Sequence, residues 1–365
     1  MNKYLPLSLL PMVGVFAASE VHVNALEKKV SKLERKVDKL QANSSWVGVD
    51  DPYVNTATHL YGDVLYWYAE EDGLAYGVRA QTDAQSSTLP TEVLYPDFRF
   101  QFGFRVGFGF NTMHDNWNLD LEWTNYKNTA YNSTLLDPVT FNVGTDSLLN
   151  GSSPEYNVTY GNFAYGKMHL NMNIVDFSFR KPYWVGEYTL LQTKFGARAT
   201  RIDSDFTVHS YQQNSTSSQT LDTRVLYSQN QKGIGLQAGV DSTMYVNEFI
   251  SFFGGIGTSV LFTENDLKKS QTLTVIQLSQ TRDTTSTAKI YGGMPTLDLD
   301  TGIEFEAWPM AKTFRVAVTL GWEMHSFIGY NRMIYFLNSN SLGTISDSNG
   351  SLTTFGGFGR VGIDF

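Results

Sequence analysis

In the stretch FRFQFGFRVGFGF, residues 98–110, every second residue is Phe or Val, with Arg99, Gln101 and Arg105 between them. On an extended chain, residues two apart share one face. A face that repeats fixed charges can order or filter ions and small polar solutes. The pattern recurs along the chain. Asp120 and Glu122 form one such set, Lys194 and Arg198 a second, Asp298, Asp300, Glu304 and Glu306 a third, and Arg315 and Glu323 a fourth. Asp63, Lys167, His169, Asp241, Arg360 and Asp364 take the same alternating places singly. Ten acids against seven Arg and Lys and one His on this face predict a mild preference for cations.

Other chemistries have less support. With no cysteine, the chain has no disulfide framework, thiolate metal site or Cys nucleophile. His114 and Asp115 are the one adjacent His–Asp pair and fall in a short turn, while His59, His169 and His209 show no metal-ligand spacing. Glu323 and His325, two apart near the outer rim, are the one acid–base pair worth naming, and a solvated pair is its plain reading. No Gly-rich phosphate loop opens a helix, so no cofactor is expected. A net charge of −9 argues against nucleic acid, whose phosphates need clustered Lys and Arg. No catalytic, cofactor or metal residue is assigned, and the chain is expected not to be an enzyme.

These charges need strands to hold them. From Leu60 onward the dominant period is two, in ten segments. They are expected at Leu60 to Ala69, Phe98 to Phe110 and Trp117 to Thr124. Others centre on Met168 to Ile174, Leu191 to Ala199, Ile234 to Val240 and Ile250 to Phe262. The last three are Leu297 to Phe305, Phe314 to Met324 and Phe355 to Phe365. The phase slips near Val175, which predicts a bulge or an early strand end there. Short turns near 113–116, 182–186, 247–248 and 309–312 alternate with long polar loops around 70–97, 127–162, 203–232, 264–289 and 326–352. That is the layout of a transmembrane β-barrel with an even number of strands. A soluble sandwich also alternates, but its strands are shorter.

The fold class is therefore all-β: an antiparallel transmembrane barrel of about 10 strands, with 8 to 12 allowed, because parts of 127–145 and 205–228 could extend strands above the membrane. Phe98, Phe104, Phe110, Trp117, Trp123, Trp308, Phe314 and Trp322 are expected to face lipid or form the aromatic girdles. A tight turn near 113 places Arg105 opposite Glu122, Phe104 opposite Trp123 and Phe110 opposite Trp117. If the apolar faces meet lipid, the charged set lines a lumen. A water-filled pore is one reading, and a lumen filled by mutually paired charges is the other. Inward glycines such as Gly103, Gly107, Gly109, Gly235 and Gly239 leave both open, since they free space or let side chains pack closely.

The ends suggest where the barrel goes. Residues 1–19 have an early Lys3, an apolar run from Leu5 to Phe16 and small residues after it, the pattern of a secretory signal peptide. Val23, Leu26, Val30, Leu33, Val37 and Leu40 make a short heptad seam within an amphipathic helix over 21–43. It serves either as a helix packed on its own chain or as a stalk that joins two or three copies. A linker at 44–58 leads to the barrel at 59–365. An even strand count puts both termini on one side, the periplasm after export. Val361, Ile363 and Phe365 resemble the C-terminal assembly signal of bacterial outer-membrane barrels, which makes the barrel-assembly machinery and outer-membrane lipid the expected partners.

The blocks LYGDVLYWYAEEDGLAYG (60–77), DNWNLDLEWT (115–124), FRKPYWVGEYTLLQTKFGARATRID (179–203) and FGRVGIDF (358–365) carry a family resemblance. Together they resemble the major-outer-membrane-protein-like pore-forming family of Legionella and Chlamydia-related bacteria. The resemblance implies an outer-membrane porin for small hydrophilic solutes and ions, often oligomeric. A closed structural or adhesive barrel is the alternative, and an outer-membrane hydrolase a remote one. Family members often cross-link through cysteines, and this chain has none to do so.

Overall fold

The computed structural model describes residues 58–80, 91–112, 117–135, 142–144, 163–185, 188–213, 220–247, 249–307, 315–336, 345–347 and 350–364. The signal segment, the heptad seam from Val23 to Leu40, His114, Asp115, Trp308, Phe314 and Phe365 lie outside the described residues.

Period-two alternation builds ten barrel strands: β1 (Thr58–Glu71), β2 (Gln101–Asn111), β3 (Asn118–Leu135), β4 (Phe163–Val185), β5 (Thr189–Gln213), β6 (Thr220–Tyr245), β7 (Ile250–Val275), β8 (Gln280–Ala307), β9 (Arg315–Asn331) and β10 (Gly350–Asp364). Each pairs antiparallel with the next, and β1 pairs with β10 to close the ring. His59 lies opposite Asp364, so the first and last strands end at the same rim. Following the pairing once round from His59, through Gly109, Asp120, Ser178, Gly196, Gln237, Ser259, Thr296, Phe327 and Leu352, returns to β1 at Glu71, twelve residues along. Ten strands with that stagger tilt by roughly 40° and enclose an interior little wider than side chains can fill.

The outer face changes character partway up. Nearest the termini it is apolar: Phe108, Leu121, Phe177, Phe195, Leu236, Ile256, Val318 and Val361 are all exposed. Further along the same strands it turns polar, and the apolar residues move inside. On β4, Val175 and Phe177 are exposed, whereas Met168, Leu170, Met172 and Ile174 are buried. The pairing runs through Val175 without a shift, so the expected bulge is absent. The phase slip records instead a change of surroundings. Where the outside is lipid, apolar side chains face out; where it is water, they face in. Lys167 and His169 therefore sit on the outer face rather than inside.

The same logic lengthens the strands. Residues 203–232 and 264–289 are largely strand, not loop: β5 runs to Gln213, and β7 and β8 meet at a single 3-10 turn, Ile276–Leu278, closed by Ser279 in the left-handed region. At the opposite rim, the Asn247 side chain accepts hydrogen bonds from the Phe249 and Ile250 amides, which tightens the turn between β6 and β7.

Two local expectations change. β2 begins at Gln101, so Phe98 and Arg99 precede it. Residues 95–100 hang from β3, with the Asn132 and Asn128 amides donating to the Tyr95 and Arg99 carbonyls. Phe98 is half-buried and packs on the interior clusters instead of facing lipid, and Arg99 is exposed instead of lining the interior. The turn after β2 closes between Thr112 and Trp117, two residues wider in register than expected. Arg105 thus lies opposite Thr124, Phe104 opposite Asn125 and Phe110 opposite Leu119. An even shift keeps every side chain on its face.

Candidate functional site

The barrel interior is the candidate site. Below the change of face, short-period alternation points the charged residues inward from eight strands, and they meet. Arg105 on β2 is at the centre. It donates to Asp63 on β1 at 3.0 Å, to Glu323 on β9 at 3.0 Å and to Thr124 at 3.1 Å, with Glu122 at 3.3 Å. Arg360 on β10 grips Asp63 through two bonds of 2.8 Å and lies over the Tyr61 ring. Tyr61 donates to Glu122 at 2.6 Å.

The chain of charges continues across the barrel. His325 stands 3.5 Å from Glu323 and 2.7 Å from Asp298. Arg198 on β5 donates to Asp298 at 2.7 Å and takes Asp176 on β4 through bonds of 2.7 and 2.9 Å. An unbroken series, Arg360, Asp63, Arg105, Glu323, His325, Asp298, Arg198 and Asp176, therefore runs from β10 to β4. Arg105, Asp63, Glu323 and Arg198 are all buried. Charges out of water are held only where partners satisfy them, and here each has one or more.

Nearer the terminal rim lie smaller groups. Asp120 joins His59 at 2.6 Å and Arg180 at 3.0 Å, and Lys194 reaches Asp241 at 3.3 Å. Arg315 joins Asp364 at 2.7 Å and Glu306 at 3.0 Å, while Thr319 donates to Glu304. Asp300 lies against Gly255 beside Asp241, and Gln101 opens β2 half-buried opposite Trp67.

Above the charges the interior is apolar. Trp67 joins the two zones: its indole N–H donates to Glu323 at 3.0 Å, Arg105 lies over its ring, and its face meets Tyr126. Leu65, Trp67, Tyr126, Met172, Ile202, Leu261, Phe327 and Leu352, from seven strands, are fully buried in one cluster. A second cluster lies further up. There Leu74, Tyr76, Leu94 and Met333, from the connections, pack against Met168, Phe206 and Tyr227.

The glycines answer the question left open by the sequence. A Cβ at Gly107 would overlap the Tyr61 ring, one at Gly109 the His59 ring and one at Gly239 the Lys194 side chain. The bare backbone makes room for a neighbour's side chain.

The inward set thus holds Arg105, Asp120, Glu122, Lys194, Arg198, Asp298, Asp300, Glu304, Glu306, Arg315 and Glu323 together, without Arg99. On the outside, Phe104, Trp123 and Trp322 are exposed, as are Val361 and Ile363. Phe110 is half-buried, and Trp117 packs against Phe195 with Lys181 over its ring. Phe104 and Trp123 touch edge to face along a diagonal, as Arg105 and Glu122 do. His325 is neither at the rim nor solvated but locked inside the charge series. Asp176 and Arg180 were missed because the strand was cut at Val175. Taking Val175, Phe177 and Phe179 as a new lipid-facing row past that point places both inside.

An all-antiparallel closed barrel with an exposed apolar band and tyrosine and tryptophan at its edges defines an outer-membrane β-barrel protein. Residues 51–364 match the family described as Legionella pneumophila major outer membrane protein precursor, and the chain belongs to that family. No curated protein matches it. Among solved structures it is similar to the outer membrane protease OmpT from Escherichia coli, at 7% identity over 85% of this chain and 96% of that one, with a TM-score of 0.40. It is also similar to the Yersinia pestis attachment invasion locus protein Ail, at 8% identity over 85% and 98%, with a TM-score of 0.20. A Pseudomonas aeruginosa FadL homologue matches at 8% identity over 85% and 90%, with a TM-score of 0.27.

Proposed function

We propose that the chain is an outer-membrane barrel sealed across its interior, a structural and surface-presenting protein of the envelope rather than a standing diffusion pore, with both termini periplasmic. One observation carries this reading. The inward side chains from round the barrel meet, charge to charge in one layer and ring to aliphatic in the next, with Asp63, Arg105, Arg198 and Glu323 buried in the first and the apolar cluster buried in the second. In an open porin, inward side chains stay wet. Purified, folded, heat-modifiable protein in planar bilayers is expected to stay electrically silent. Discrete conductance steps from the same preparation would overturn the seal.

The second reading is the porin for small hydrophilic solutes and ions implied by the family resemblance. It is favoured by the partly exposed charges at the terminal rim: Lys194, Asp241, His59 and Arg180 are each about a fifth to a quarter exposed, so water enters the barrel from that end. On this reading the charge series is a gate, and the bilayer experiment decides between the two.

A further inference from the structure

The outer face carries a feature that neither reading uses. Its boundary between lipid-facing and water-facing residues can be followed from strand to strand. The last apolar row is Trp123, Val175, Ala199, Ile234 and Phe262, paired in that order across β3 to β7. The next row out is Asn125, Asn173, Arg201, Lys232 and Glu264.

In that row two cations, Arg201 and Lys232, are directly opposite each other on neighbouring strands. Like charges in that position repel and weaken the sheet. Their surroundings neutralise them only in part. Arg201 donates one bond, from Nε to Asp203 at 3.2 Å, and its side chain stays 60% exposed. Lys232 has no hydrogen-bond or ion-pair partner among the described residues. The acid opposite it, Glu264, is taken by Lys289 at 2.6 Å. Asn173, on the other side of Arg201, accepts from Asn125, which leaves its own N–H groups free to donate.

We propose that Arg201 and Lys232, with Asn173 beside them, form a headgroup site for a phosphate-bearing lipid whose acyl chains lie on the Val175, Ala199, Ile234 and Phe262 surface below. Three features support this occupant. The donors sit one row above exposed apolar residues, the height at which a lipid phosphate meets its chains. A guanidinium and an ammonium side by side suit a phosphate, the first by its fork and the second as a point charge. An anion between them also removes the repulsion that the bare pair carries. The row lies at the edge of the apolar band away from the two termini, which in the orientation proposed above is the outer leaflet. The inference rests on the apolar band being lipid-facing and is independent of whether the barrel conducts.

The test uses the full folded chain in non-ionic detergent, with retained lipid counted by native mass spectrometry. The probe is bacterial lipid A carrying both phosphates, set against the same lipid with its phosphates removed. The wild type is expected to retain the phosphorylated lipid at least about tenfold better. The double variant Arg201→Gln, Lys232→Gln is expected to lose that preference, and Arg201→Lys to keep much of it. Both substitutions are on the surface, and a heat-modifiability gel confirms that each variant is folded. Equal retention of the two lipids, or an unchanged preference in the folded double variant, would overturn the site. Displacement of lipid A by millimolar inorganic phosphate would overturn the lipid as its occupant and leave a free-anion site.

Discussion

Arg105 shows what one inward charge does in a filled barrel. It satisfies three carboxylates that lie on three other strands, and it closes the series from Arg360 to Asp176 at its middle. Removing it takes one partner from each of Asp63, Glu122 and Glu323, and leaves them Arg360, Tyr61 and the Trp67–His325 pair respectively. A buried pair broken from one side costs about 3–5 kcal/mol when the remaining charge is left unpaired, and the second partners of these carboxylates put the loss at the lower end of that range. Arg105→Met is therefore expected to destabilise the folded barrel by that order, read as a lower urea midpoint in lipid vesicles with band shift on unheated gels. Adding Glu122→Gln and Glu323→Gln is expected to restore part of the loss, since two of the carboxylates that lose a partner go with it while Asp63 keeps Arg360. If the triple variant is no more stable than the single one, Arg105 matters for its packing against Trp67 and not for its charge.

At the scale of the strand, alternation was legible and its meaning was not always so. β1, β3, β8 and β9 show the same face assignment in sequence and structure, because their lower halves lie wholly within the apolar band. β4 does not. Met168, Leu170, Met172 and Ile174 looked like a lipid-facing row because a period of two identifies a strand without saying what lies on either side of it. The apolar face of a strand points at lipid in the band and at the core above it, so a strand longer than the membrane must swap faces. The slip at Val175 was that swap. Register was less legible, since a turn of four residues and one of two differ by a shift that leaves both faces intact. The absence of cysteine gives a clean test of the swap. Single cysteines at Phe177 and Asn173 face outward on either side of the boundary. In vesicles, Asn173→Cys is expected to react with a water-soluble maleimide and Phe177→Cys to be protected from it until detergent is added. Equal reactivity at both positions would remove the boundary at Val175 and, with it, the explanation for the inward row.

For the whole molecule, the seals stand in series, and that determines how the barrel responds to damage. The charge layer centred on Arg105 and Glu323 lies below the apolar layer of Trp67, Tyr126, Phe327 and Leu352, and the connection residues Leu74, Tyr76, Leu94 and Met333 close the third level above. A passage needs every layer open at once, because ions must cross all of them and a dry apolar constriction stops them as well as a charged one does. Arg105→Ala with Glu323→Ala is thus expected to stay silent in planar bilayers, and Trp67→Ala with Tyr126→Ala is expected to stay silent too. Conductance should appear only when the charge and apolar layers are cut together and the connection residues are truncated as well. The open variant should then prefer cations, because inward acids still outnumber inward Arg and Lys once Arg105 is gone; its reversal potential in a salt gradient reads that preference directly. If either two-residue variant conducts, the layers are not independent seals and the native barrel is two substitutions away from a pore. That result would shift the balance to the porin reading, with the charge series or the Trp67 layer as its gate.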